Sequence, residues 1–358
     1  IGSPLTGAGN SVQIGISMTG DAGRADQIVN NSGGTVQYDM PMTYGGATVI
    51  NVNSALRISA SNATTGIGAI TLNGGTLQGD SLNSNFRMLA PLTISNTIEM
   101  TADSSIQMQN NAGDFHLAGV VNLGSGSTGV VRQLNVGVDQ PGGAANNAGQ
   151  LYLDGGISNG PGGSANHLIK AGVGSVFLTR TNTYTGTTTV TGGLLAINSN
   201  ADLASTSQII LSGGGLAVWE NSFTLDRNLS FNGGNGWLDV QAGLTLTQNA
   251  SATYDGANFI MKRGLGTVVL NGSNAQVGLL VADGILQVNN QAALGDPART
   301  GGTDIQIGGD FALGGTGTST RFTGGTLRIS ENMATLRGIT FNNNGSTIYS
   351  GGIDVAPS

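Results

Sequence analysis

The stretch Gly172-Val-Gly174-Ser-Val-Phe-Leu-Thr-Arg-Thr-Asn182-Thr-Tyr184-Thr-Gly186, continued by Thr-Thr-Thr-Val190-Thr-Gly-Gly193-Leu-Leu195-Ala-Ile197, decides the fold of this chain. Its apolar residues alternate in runs of about four to six between Gly and Asn punctuation, the mark of short strands joined by tight turns. The stretch also recurs. Downstream the chain reads Gly264-Leu-Gly266-Thr-Val-Val-Leu-Asn-Gly-Ser-Asn274, then Val281-Ala-Asp-Gly284-Ile-Leu286-Gln-Val288, placing Val288 at 288 − 197 = 91 residues beyond Ile197. Upstream, Tyr44 to Ile58 repeats the half from Tyr184 to Ile197, at 197 − 58 = 139.

A second marker follows the first each time: Gly74-Gly-Thr-Leu77, Gly214-Gly-Leu216 and Gly324-Gly-Thr-Leu327. About a dozen residues later comes a further strand, at Leu92, Leu229 and Ile339. Tandem modules of unequal length fit a solenoid, in which an insertion bulges from one coil without disturbing ring closure. The expectation is an all-β fold, a right-handed single-stranded parallel β-helix running as one domain over residues 1–358, with an inserted loop at 141–163. At ~4.8 Å per coil, and roughly 20 to 25 residues per coil, that makes about 15 rungs.

Composition excludes several alternatives. Of 358 residues, 61 are Gly and 7 Pro, only 9% are charged and 38% are hydrophobic, a turn-rich β composition rather than a disordered or collagen-like one. A net charge of −7 with two lysines leaves no basic stripe for a phosphate backbone, so no nucleic-acid partner is expected. Neither a membrane-spanning apolar run nor a signal peptide is legible, and Ile1 reads as a processed or truncated start. Absence of Cys suits export as an unfolded chain through an oxidising space.

The segment from Gly172 to Ile197, with Lys170 before it and Lys262 before the downstream Gly-x-Gly, resembles the autotransporter-associated β-strand repeat of bacterial autotransporter passenger domains, the pertactin-like β-helices. The signature residues are Gly172, Gly174, Asn182, Tyr184 and Gly186, then Gly264, Gly266 and Gly284; the downstream Asn-Thr-Tyr-Thr-Gly has degraded to Asn274-Ala-Gln-Val-Gly278. The resemblance implies a β-helix displayed at, or released from, a bacterial surface. The residues up to Ser358 do not include that family's β-barrel translocator, so the expectation is a longer precursor that carries one or a relative secreted by another route.

Candidate chemistry is sparse. Gly79-Asp80-Ser81-Leu82 matches a lipase nucleophile block, but neither His116 nor His167 stands in the Asp-x-x-His that such enzymes need. Asp114 and His116 fall on one strand face at period two, as a general-base pair would, without a nucleophile. Asp304 and Asp310, in Gly301 to Asp310, make the densest Gly/Asp loop and the candidate calcium or glycan-cleaving site. Trp219 and Trp237 follow Gly-rich turns and are the candidate sugar platform. Asn62 and Asn249 begin Asn-x-Ser/Thr triplets that carry no glycan inference in a bacterial protein. The reading is a non-catalytic structural or adhesive surface protein, with no cofactor and no metal. Its expected partners are host or matrix glycans or proteins, and other copies stacked end to end through open coil ends into a fibre. The alternative is a polysaccharide-binding or polysaccharide-degrading β-helix.

Overall fold

A computed structural model describes residues 47–58, 68–79, 91–108, 114–138, 150–203 and 208–295, with shorter strand segments at 13–14, 28–30, 35–38, 305–307, 311–312, 319–320, 324–329, 339–341 and 352–355. The chain divides into two compact units, Ile1–Gly186 and Thr187–Ser358.

In the first unit, three parallel ladders climb through successive coils. One joins Thr48–Asn51, Ile70–Asn73, Ile98–Met100, Val121–Asn122 and Ile157–Ser158. A second joins Ala55–Ile58, Thr76–Gly79, Ser104–Met108, Val131–Val138 and His167–Ala171. The third joins Leu92–Ile94, Phe115–Leu117, Leu151–Leu153 and Ser175–Leu178. Each ladder is one face of a parallel β-helix.

Register explains why the sequence alternates. Leu56 sits on Leu77, Leu77 on Ile106 and Ile106 on Val136, all at most 1% exposed. A strand's side chains point alternately in and out, so one inward row meets one inward row at every level. Outward rows are polar and bond along the stack: Asn73 Nδ2 donates to Asn51 Oδ1 (2.7 Å) and Thr101 Oγ1 to Asn73 Oδ1 (3.1 Å). Fully burying each Leu or Ile stabilises by about 1.5–3 kcal/mol, which is how a chain with so few aromatics holds a core.

The second unit is built alike. One face stacks Leu195, Leu216, Leu238 and Lys262, and another stacks Leu246, Val268, Leu286 and Leu327. The markers read from sequence are therefore neighbours in space. Leu56 pairs with Leu77, Leu195 with Leu216 and Leu286 with Leu327, so in every module the first marker lies directly under the second. In the second module the described strand Phe223–Leu225 precedes Asn228–Ser230, a strand that the dozen-residue spacing concealed, while in the first module residues 80–90, before Leu92–Ile94, lie outside the described residues.

Coil length varies as a solenoid allows. The steps Thr48 to Ile70, Ile70 to Ile98, Ile98 to Val121 and Val121 to Ile157 are 22, 28, 23 and 36 residues. The longest step overlaps the loop expected at 141–163, whose later part holds regular strands. Leu151–Leu153 and Ile157–Ser158 are ladder strands with Leu151, Leu153 and Ile157 buried, because Leu-Tyr-Leu alternation outweighs the surrounding glycines; 139–149 lie outside the described residues. Two antiparallel strand pairs occur among the described residues, Gln13–Ile14 with Ile28–Asn30 and Phe311–Ala312 with Ser319–Thr320, beside a single antiparallel bridge between Asn51 and Gly74.

Ile197 and Val288 are both fully buried. Replacing either with Asp places an unpaired charge in the inward row, at an expected cost of several kcal/mol. Thermal melting should show each variant unfolded or melting far below the wild type. A wild-type melting curve would mean that these rows do not form the core.

Candidate functional site

The two repeats converge on one local device, a buried lysine closing a Gly-x-Gly turn. Lys170 lies in His167–Ala171, in register with buried Leu134, so its four-carbon stem occupies an inward position and only its amine has to find polar company. Nζ donates to the carbonyls of Gly172 (2.9 Å) and Gly174, inside the turn that follows. Lys262 occupies the same kind of site between Leu238 and Val281, and its amine donates to Arg263 O and Gly264 O (both 2.6 Å) and Asp283 O (3.1 Å).

The glycines are required by geometry. Gly172 and Gly264 have φ of +77° and +71°, and a Cβ on either would run into the main chain of the previous coil, at Val136 O or Val240 O. Each turn is then bonded to the coil before it, Gly174 N to Val136 O (2.9 Å) and Gly266 N to Val240 O (2.8 Å). Gly284, φ +65°, seals the downstream turn from the following coil: a Cβ there would lie 2.5 Å from Gly266 O and 2.8 Å from Lys262 Nζ.

The second half of the signature closes the next corner. Asn182 is 3% exposed, its Oδ1 accepts from Ile157 N, and Thr183 N donates to Ile157 O (2.8 Å). Gly186 N donates to Asn166 O (3.0 Å), and Tyr184 is fully buried. In the degraded copy Asn274 keeps the role, its Oδ1 accepting from Tyr254 N (2.9 Å) and Gln248 Nε2 (2.6 Å). Seven of the eight signature residues thus bond to, or lie against, a neighbouring coil, and Tyr184 is buried in the core.

Burial lowers the Lys170 amine from 10.5 to about 7. It lowers Lys262 to about 8, against the upward pull of Asp239 and Asp283.

The remaining sequence candidates disperse. His116 does not pair with Asp114. Its Nδ1 meets Asp154 Oδ2 at 2.7 Å, while Asp114 Oδ1 accepts from Gln150 N (3.0 Å), because coiling brings Asp154 to the outward position beside His116 from 38 residues away. Thr179 Oγ1 donates to Asp154 Oδ1 (2.7 Å), and His116, Tyr152 and Phe177 stack as a ring ladder with centroids 4.4 and 4.8 Å apart. Asp154 escaped the sequence reading because only the coil register could have found it.

Trp237 is not an exposed platform. At 8% exposure it lies against Gly215 and Met261, under the guanidinium of Arg263 at 5.3 Å; Trp219 is half-buried. Asp80 to Leu82, Asn62, Asp304 and Asp310 lie outside the described residues. Asn249 accepts from Ser251 N (3.0 Å) in a local turn. Among the described residues no group of three metal-ligating side chains assembles, and no helix is long and apolar enough to cross a membrane.

Fold and turn together define a parallel β-helix whose repeats are closed by buried lysines at Gly-x-Gly turns. The model of the passenger-associated-transport-repeat matches residues 168–197 and 262–288, the two segments that hold the lysine-closed turns. These two segments carry the repeat; the rest of the chain lies outside the match. The chain is 36% identical over 121 residues to an adhesin, the BmaC autotransporter of Brucella suis biovar 1 (strain 1330); the match covers 30% of this chain and 4% of that protein. No solved structure matches it significantly.

Replacing Lys170 with Met should destabilise the first unit by about 2–3 kcal/mol, since two buried carbonyls lose their donor. The variant also isolates the amine's pH dependence. With a folded pKa of about 7 and an ordinary value of 10.5, the folded chain binds fewer protons than the unfolded one between those limits. Stability from this group therefore rises with pH through that window, and the full burial penalty is present below about 7. Denaturant melts from pH 7 to 10 should show a steeper upward trend in the wild type than in Lys170→Met. Equal slopes would contradict the buried amine. Gly264→Ala should cost at least about 1–2 kcal/mol from backbone handedness alone, read in the same melts.

Proposed function

We propose that this chain is an extracellular adhesive passenger without catalytic activity, whose β-helix presents outward side chains to host or matrix glycans or proteins. One observation carries the reading: the polar groups of both repeats are consumed in closing turns and joining coils, as Lys262 does with Arg263 O and Gly264 O in its own turn and Asp283 O in the next coil. Closing a coil rather than assembling a reaction centre is what a presenting scaffold needs. The likeness to an adhesin over 121 residues supports the same reading.

End-to-end association of copies belongs to this proposal in its finer form. A β-helix ends in a row of unpaired N–H and C=O groups, which favour pairing with another such edge. Light scattering that grows with concentration would support it, and a monodisperse species at every concentration would overturn it.

Adhesion is tested with the purified folded chain on beads, offered to cultured host cells and to immobilised matrix proteins and glycans. Saturable binding lost on heat unfolding is the expected result. Absence of binding to every surface would sink the adhesive reading. Turnover of a polysaccharide by the same preparation would sink the non-catalytic one.

A further inference from the structure

Five Asn-Gly steps fall within the described residues: Asn73-Gly74, Asn159-Gly160, Asn232-Gly233, Asn235-Gly236 and Asn271-Gly272. Glycine leaves its own nitrogen unshielded, so this dipeptide is where a side-chain amide is most open to attack by the main chain. Attack needs a nitrogen that is not engaged elsewhere.

The coils engage most of them. Gly74 N donates to Ser104 Oγ (3.1 Å), Gly160 N to Ser158 Oγ (2.9 Å) and Gly272 N to Gln248 Oε1 (3.0 Å). Gly236 opens the strand Gly236–Val240, in register with Ile260 of the following coil. Gly233 differs. It stands in a bend at φ +87°, and its N–H makes no hydrogen bond among the described residues. Asn232 before it is exposed, with Nδ2 donating to Ser230 Oγ.

We propose that Asn232 is a site of spontaneous amide-to-acid modification, with water as the co-reactant. Gly233 N forms a bond to Cγ of Asn232 and gives its proton to solvent. The Cγ–Nδ2 bond breaks, and ammonia leaves with a proton from solvent. Water then opens the five-membered imide at either carbonyl, leaving aspartate or isoaspartate. Nothing is oxidised or reduced. The product adds one negative charge to a chain of net −7. The isoaspartate form also lengthens the main chain by one carbon just before the strand that carries Trp237 and Leu238.

The test is peptide mapping by mass spectrometry of the folded protein during incubation at mildly alkaline pH. Asn232 is expected to convert faster than Asn73, Asn159 and Asn271 by on the order of tenfold, the factor that about 1.4 kcal/mol of local opening imposes. In denaturant the five sites should converge, which separates the fold's effect from that of local sequence. Ser104→Ala, which frees Gly74 N, should raise conversion at Asn73, and Asn232→Gln should abolish the signal. Conversion at Asn232 no faster than at the three engaged sites of the folded chain would overturn the proposal.

Discussion

Parallel in-register stacking is the constraint on which everything else in this molecule depends. Because each strand bonds to the one a coil away, every inward side chain sits on another inward side chain, as in the column Leu56, Leu77, Ile106 and Val136. Such a column tolerates volume changes among aliphatics but not a charge or a slip of one residue, which would turn the whole row outward. Coil length is free wherever the extra residues leave the column untouched, and steps from 22 to 36 residues coexist in one unit.

The buried lysines are an apparent exception that follows from the same constraint. A Gly-x-Gly turn with φ near +70° leaves several carbonyls facing the interior, where an unpaired acceptor costs about 1–3 kcal/mol. A long apolar stem fits the aliphatic column, and an amine at its end supplies up to three donors, as Lys262 does. Arg would bring five donors in a rigid plane to a space that offers three carbonyls. Charge burial is the cost of this arrangement, and it is visible in the depressed amines at both sites.

The outward faces obey looser rules, and polar and aromatic side chains line them. His116, Tyr152 and Phe177 rise as a ladder on one face of the first unit, with Asp154 linking His116 to Thr179. Asn198 and Glu220 exchange two bonds at a corner of the second unit, where Asn200 also holds Asp226. Within each unit these groups stand at adjacent levels of the stack.

Two kinds of information separate cleanly in this protein. Alternation and punctuation by Gly and Asn determined the all-β class, the inward identity of Ile197 and Val288, and the grouping of the repeat signature, since a period of two and a need for positive φ are local properties of the chain. The order of first and second markers implied a module but not their stacking, and the strand Phe223–Leu225 and the ladder strands at 151–158 were hidden by glycine-rich and polar surroundings. Only tertiary structure joined His116 to Asp154 rather than to Asp114, buried Trp237 against Gly215, and turned Lys170 and Lys262 inward to close their turns. The reason is physical: a neighbour one coil away lies about 20 to 40 residues along the chain, and which residue it is depends on the summed length of every turn between, a quantity that no local pattern encodes.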